Sequence, residues 1–351
     1  MTDTPNPLPP PHQRTDFLAA ADLDRQIGRA LAQGAMANGW LITGPDGVGK
    51  ATLAYRLARA LLHDGGATFD IPATSRASAL IAAQAHPDLF VAERLYDAKK
   101  ERHAAEIAVE TSRDLIGFLS LTPSLGAWRV VIVDTADDLN RNSANALLKA
   151  LEEPPAKTAI FILSSSPGRL LATIRSRCRR LAIRPYTDEA VAAFLAREGA
   201  AQGEDAMKIA AAAEGRPGFA LKLALGEGTE AIDAVNDLLS ARDAAGVAQR
   251  LAPRASDGVW PVFQELLLRR VDRAARAAAQ RCDARAADLV VLREALTALF
   301  TRGDAVNLDR FQIVLAAARA LGVLSDDELD DALRPATMLG ETPSPTGVSG
   351  V

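Results

Sequence analysis

The sequence predicts an α/β protein built on a parallel sheet and continued by an all-helical segment. Three observations lead there. Short apolar runs alternate with longer helical patterns between residues 17 and about 185, and one run leads straight into a glycine-rich loop. After Pro185 the strand-like runs stop, leaving alanine- and leucine-rich helical periodicity.

Taken in chain order, residues 1–16 are proline-rich and read as a disordered tail. The first apolar run, residues 40–43, enters Gly44-Pro-Asp-Gly47-Val-Gly49-Lys50, and a helix is expected from about Ala51 with Leu53, Leu57 and Leu61 on one face. Further runs fall at residues 89–92, 130–133 and 160–164. Residues 17–186 therefore form one expected domain, residues 187–230 a small helical lid and residues 231–336 a larger helical domain. Residues 337–351 have almost nothing to bury and read as a second tail.

The loop has the mechanics of phosphate binding. Glycines let the chain curl around phosphate oxygens, the helix N-terminus adds positive potential, and Lys50 would reach the terminal phosphates. The plain alternative is an ordinary glycine turn. One position departs from the hydrolase pattern: Ala51 stands where Ser or Thr supplies the magnesium-ligating hydroxyl, and Thr52 comes one residue, or about 100° of helix, too late.

The run at residues 130–133 ends in Asp134, the expected magnesium-holding carboxylate of a phosphate-loop protein; a helix-capping aspartate is the alternative. Thr135 follows where nucleotide hydrolases carry a glutamate to polarise water, and threonine cannot act as that base. Ser164, Ser165 and Ser166 form a polar cluster at the end of the fourth run, suited either to a γ-phosphate or to capping the next turn.

With 351 residues, 48% of them apolar, the chain is long enough for two or three domains. Its net charge of −4 confines any nucleic-acid contact to a local patch. Cys178 and Cys282 are too few for a zinc site or a disulfide framework, which points to a reducing cytoplasm. No apolar run approaches membrane-spanning length, and the N-terminus lacks the pattern of a signal peptide.

Four segments in order carry a family resemblance: His86-Pro87-Asp88, Trp128-Arg-Val-Val-Ile-Val-Asp134, Asn145-Ala-Leu-Leu-Lys-Ala-Leu-Glu-Glu-Pro-Pro155 and Thr173-Ile-Arg-Ser-Arg-Cys178. The chain resembles bacterial clamp-loader subunits of the AAA+ superfamily over roughly residues 20–225, and beyond that only in helical character. The resemblance implies an AAA+ domain, a lid and a collar through which five subunits form an open ring. It implies other clamp-loader subunits, tau/gamma and delta, as partners, with the sliding clamp and primed DNA as indirect ones. It also implies that Arg177 projects into a neighbour's ATP site as an arginine finger, a role suited to a planar, permanently charged guanidinium. A basic surface segment is the alternative for Arg177.

Departures from the family pattern weigh as much as the matches. Residues 62–85 contain no cysteine, so the family's four-cysteine zinc module is missing or replaced. Where a lid arginine is expected, the chain reads Gly215-Arg216-Pro217-Gly218, with Gly218 at that position. Ala51, Thr135 and Gly218 impair the chain's own catalysis, whereas Arg177 serves a neighbour. The expected function is a stator-like subunit that binds ATP weakly or vestigially, with magnesium only beside nucleotide and no zinc. Gly44, Gly47, Gly49, Lys50, Ala51, Thr52, Asp134, Ser164 and Ser165 are the expected nucleotide-contacting set. The rival readings are a tau/gamma-like motor subunit, with Asp137 or Asp138 replacing the missing acid, and a phosphate-loop kinase of small molecules.

Overall fold

The computed structural model describes residues 9–15, 18, 21–33, 36, 38–63, 71–94, 96–97, 102–103, 107, 109–240, 244–253 and 256–322. Both expected tails lie largely or wholly outside these residues, as does part of the cysteine-free segment 62–85. The chain divides into two compact units, the first running to Ala200 and taking in Ala213–Leu221, the second comprising Ala201–Ala212 and the chain from Lys222.

The first unit is a five-stranded parallel sheet with helices on both faces. Its strands are β1 (Asn38–Thr43), β2 (Leu89–Glu93), β5 (Arg129–Asp134), β6 (Thr158–Ser164) and β7 (Cys178–Ala182), in the spatial order β2-β5-β6-β1-β7. A separate two-stranded ribbon pairs β3 (Tyr96–Asp97) with β4 (Arg102–His103). The central strands are buried on both sides: every residue of β6 is buried, and Val130 to Val133 of β5 are 0–1% exposed. That double burial explains why they read as continuous apolar runs without alternation.

Helices α1 (Ala21–Ala32), α2 (Lys50–Leu62) and α3 (Arg76–Ala82) flank β1 in chain order, and α4 (Val109–Ser120), α5 (Arg141–Glu152) and α6 (Ala172–Arg177) fall between the later strands. Leu53, Leu57 and Leu61 of α2 all enter the core formed with Trp40, Ile42, Ile132 and Phe161. The opposite face of the sheet is covered by a second core that includes Leu115, Leu147, Leu151 and Ile174. Helix α7 (Asp188–Arg197) closes the main part of this unit, capped by the Thr187 hydroxyl accepting from the Ala190 amide.

The second unit is helical among its described residues. It contains most of α8 (Gly203–Ala213) and, after α9 (Pro217–Leu225), whose first five residues belong to the first unit, α10 (Gly228–Leu239), α11 (Ala244–Leu251), α12 (Val259–Gln280), α13 (Arg285–Ala305) and α14 (Arg310–Leu321). Helices α12 and α13 are the long pair, packed together around Phe263, Leu267 and Leu296. Trp260 stacks on Phe263 and meets Phe300 edge-on, while its indole N–H donates to Asp304 at 3.0 Å. Of the arginines on α12, Arg269 pairs with Glu265 at 2.7 Å and Arg270 donates to Asn236, as expected of a solvated helix face.

Candidate functional site

The phosphate loop lies at the C-terminal end of β1, and its three glycines take backbone conformations that side chains resist: φ is +154° at Gly44, +80° at Gly47 and +106° at Gly49. Gly49 caps α2, whose first residue is Lys50, one earlier than expected. The Lys50 ammonium is 7% exposed and turned back into its own loop. It donates to Gly44 O (2.9 Å), Pro45 O (3.1 Å), Asp46 Oδ1 (3.2 Å) and Ser165 Oγ (2.7 Å). Three ammonium hydrogens thus face four protein acceptors, so a phosphate would have to displace them. The Asp46 carboxylate adds a negative charge beside the loop.

The expected carboxylate cluster is assembled, with a different division of labour. The Asp137 side chain, at the turn after β5, is the hub: Ser164 Oγ donates to it at 2.7 Å, and the amides of Ser165 and Ser166 at 2.6 and 3.3 Å. Thr135 Oγ1 donates to Leu163 O at 2.9 Å. Asp138 pairs with Arg94 at 3.1 Å. The serine cluster is therefore held to the β5 turn, and the two candidate replacement acids are both engaged by the protein. Ser165 also hydrogen-bonds Asp46, which ties the phosphate loop to the end of β6.

Asp134 ends β5 opposite Glu93 of β2 in the sheet register. Burial, and then the Glu93 charge, push its carboxyl up to about 6, with Lys50 pulling the other way. A folded-state value above the unfolded 3.8 means that the native form holds the extra proton, so this group's contribution to stability falls as pH rises from about 4 to about 6. Asp134→Asn should therefore raise stability at pH 7.5 by about 1–2 kcal/mol and leave it nearly unchanged at pH 4. Denaturant melts of both proteins across this range check it; an equal difference at both pH values would contradict it.

The segment carrying Gly218 closes on the phosphate loop. The Gly218 amide donates to Gly47 O at 2.8 Å, and a Cβ on Gly47 would lie 2.8 Å from the Phe219 amide nitrogen. Arg216, only 3% exposed, folds back onto its own segment: it donates to Ala213 O at 2.7 Å and lies over the Phe219 ring at 4.8 Å. Ala51 packs against the core and carries no side-chain oxygen, and Thr52 is half-buried beside it. At the three positions that the sequence compares with a hydrolase, Lys50 is engaged by four protein acceptors, Ala51 offers no side-chain hydroxyl and Thr135 donates to a backbone carbonyl. Among the described residues, no group of three or more His, Cys, Asp or Glu is arranged to hold a metal ion.

Arg177 ends α6. Its guanidinium pairs with Glu152 of α5 at 2.8 Å and donates to Thr173 O at 3.3 Å, and both partners of the ion pair are exposed. The next residue, Cys178, is buried against Gly39, and burial pushes its thiol up to about 11, the behaviour of a packing residue.

The family model described as DNA polymerase III, delta subunit, matches residues 20–187. The resemblance to that family rests on residues 20–187, just under half of the chain. Among curated relatives, subunit delta' of Pseudomonas aeruginosa is 42% identical over 142 residues, covering 40% of this chain and 42% of that one. Subunit delta' of Escherichia coli is 34% identical over 191 residues, covering 54% and 55%. Subunit tau of Escherichia coli is 30% identical over 243 residues, covering 66% of this chain and 36% of that one. The chain thus spans about half the length of the delta' relatives it matches. The matched residues carry the parallel sheet in the order β2-β5-β6-β1-β7, with the phosphate loop directly after β1.

Within the matched residues, two motifs that the sequence singled out are structural. Asp88 of His86-Pro87-Asp88 is fully buried and accepts from the amides of Ser124 and Leu125. Glu152 of the Glu-Glu-Pro-Pro segment holds Arg177, so two family motifs meet across the gap between α5 and α6. Sequence reasoning misses the hub role of Asp137, the Glu93–Asp134 register and the capture of Lys50 by Asp46. Only the Asp-Asp pair after β5 offers a signal, and by sequence it reads as a catalytic substitute.

Proposed function

We propose that this chain is a non-hydrolysing, stator-like subunit of the bacterial DNA polymerase III clamp loader. In this reading it presents Arg177 as an arginine finger to a neighbouring ATPase subunit while the sliding clamp is loaded onto primed DNA. Residues 187–230 would serve as the lid and residues 231–336 as the collar of a cytoplasmic hetero-pentamer with tau/gamma and delta. No described helix is long and apolar enough to cross a membrane.

The observation that supports this reading most is the placement of Arg177 relative to the chain's own phosphate loop. Gly39 at the start of β1 pairs with Cys178, whereas the phosphate loop begins after Thr43 at the other end of that strand. Four residue steps at about 3.3 Å put the start of β7 and the start of the loop at opposite ends of these paired strands, ~13 Å apart along the strand direction. Arg177 precedes the strand end remote from its own loop, and its guanidinium is held by an exposed ion pair worth at most ~1 kcal/mol. It is available to a second subunit. The tau relative favours a motor-subunit reading instead, but Asp137 and Asp138 are committed to Ser164–Ser166 and Arg94.

Steady-state ATP hydrolysis by the purified full-length chain, with magnesium and over a range of protein concentrations, separates the two. A background-level rate is expected. A rate comparable to that of AAA+ motors would return the motor reading.

A further inference from the structure

Part of the proline-rich N-terminus is seated on the first unit. Residues 9–15 dock on Arg59, in the last turn of α2, which is only 2% exposed. The Arg59 guanidinium donates to Arg14 O at 2.9 Å and to His12 O. One turn back on α2, Tyr55 meets the His12 ring edge-on, with centroids 5.9 Å apart. The Gln84 carboxamide, after α3, lies 3.5 Å from the same ring. Arg14 then reaches α7, where it pairs with Glu198 and lies 5.6 Å over the Phe194 ring. The segment thereby ties the helix that begins at Lys50 to α7.

The two sides of this contact are unequal. An arginine keeps its charge when buried, and among the described residues Arg59 forms no ion pair, so backbone carbonyls compensate a buried cation. Its Nε is buried without a hydrogen-bond partner, so the present occupant satisfies the two outer arms of the fork and leaves the third. The segment gives up little on leaving. It lies in no helix or strand, it closes a turn on itself through the Gln13 amide and Pro10 O at 2.9 Å, and none of residues 9–15 is fully buried. Pro9, Pro10 and Pro11 carry no N–H and restrict the backbone, so they favour a carbonyl-presenting segment at low entropic cost.

We propose that Arg59 is the centre of a docking seat for a proline-rich peptide segment, and that residues 10–15 are its resident, a clasp that lifts off and is replaceable in trans. The seat selects by chemistry: two carbonyl oxygens two residues apart for the guanidinium, a ring for Tyr55, and a basic side chain for Glu198 and Phe194. An occupant that also reaches the Arg59 Nε binds more tightly than the resident. Displacing the clasp removes the tie between α7 and the helix that carries the phosphate loop. The seat uses neither Arg177 nor the loop, so it stands independently of the clamp-loader reading.

The test uses the full chain. Residues 1–13 contain no Lys or Arg, so trypsin frees residues 1–14 by a single cut after Arg14, at a rate that tracks how often the clasp is lifted. That cut should be at least about 10-fold faster in Arg59→Met, which removes the guanidinium and keeps an unbranched side chain. It should be about threefold faster in Glu198→Gln, which weakens only the α7 end. Melting temperatures of both variants separate a lifted clasp from a loosened fold. A fluorescent peptide of residues 9–15, followed by anisotropy, should bind the Arg14→Ala chain, whose own clasp has lost its hold on α7. Binding to the native chain, whose seat is filled, should be at least about 10-fold weaker, and Arg59→Met should not bind. Native release rates in both variants overturn the clasp. Peptide binding that is absent, or equal in the native, Arg14→Ala and Arg59→Met chains, overturns the exchangeable seat. If Arg59→Met does not fold, the Glu198→Gln rate and the Arg14→Ala affinity decide.

Discussion

Replacing Asp88 with alanine should destabilise the first unit by about 2–4 kcal/mol. The Asp88 carboxylate is fully buried and accepts the Ser124 and Leu125 amides at 2.6 and 2.8 Å, two charge-assisted hydrogen bonds that fix the loop between α4 and β5. The same loop is held from the other side by Arg129, which donates to Phe118 O and Thr122 O and lies 4.5 Å over the Phe118 ring. The His86 ring accepts the Asp88 amide at 3.1 Å, so the tripeptide positions its own carboxylate. In a unit of this size the expected loss corresponds to a melting-temperature drop of roughly 5–15 °C. Asp88→Asn, which keeps one acceptor, should lose about half as much. A loss below ~1 kcal/mol for alanine would mean that the exposed loop amides exchange the carboxylate for water at no cost.

That tripeptide illustrates how far the sequence can be read. The glycine spacing of the phosphate loop and the four apolar runs are legible because each obeys a local rule, positive φ at glycine or burial on both faces of a strand. Strand β7 is not, because Cys-Arg-Arg-Leu-Ala buries only Cys178 and Leu181 and carries its charges on an open edge. The two-residue strands β3 and β4 are too short to leave a pattern. At the site, the residue types that depart from a hydrolase are visible in Ala51 and Thr135. The engagement of Asp137 is not, since it depends on the end of β6 presenting two amides and a hydroxyl to one carboxylate.

The proposed role of Arg177 carries the second large effect. A guanidinium that stabilises the charge on a transferring phosphoryl group is worth about 10³–10⁵ in rate at the site it serves. Its present partner, Glu152, is exposed and gives it up cheaply. Glu152→Gln should therefore leave turnover within about twofold. Lysine is a poor replacement for arginine here because an ammonium is a single point charge without the planar fork.

The most direct measurement is ATP turnover by a complex reconstituted from this chain with tau/gamma and delta subunits, comparing the native protein with Arg177→Ala and Arg177→Lys. Both variants should assemble normally, and turnover at the adjoining site should fall by about 10³-fold or more. Unchanged turnover in a fully assembled Arg177→Ala complex would contradict the finger and leave Arg177 as a surface partner of Glu152.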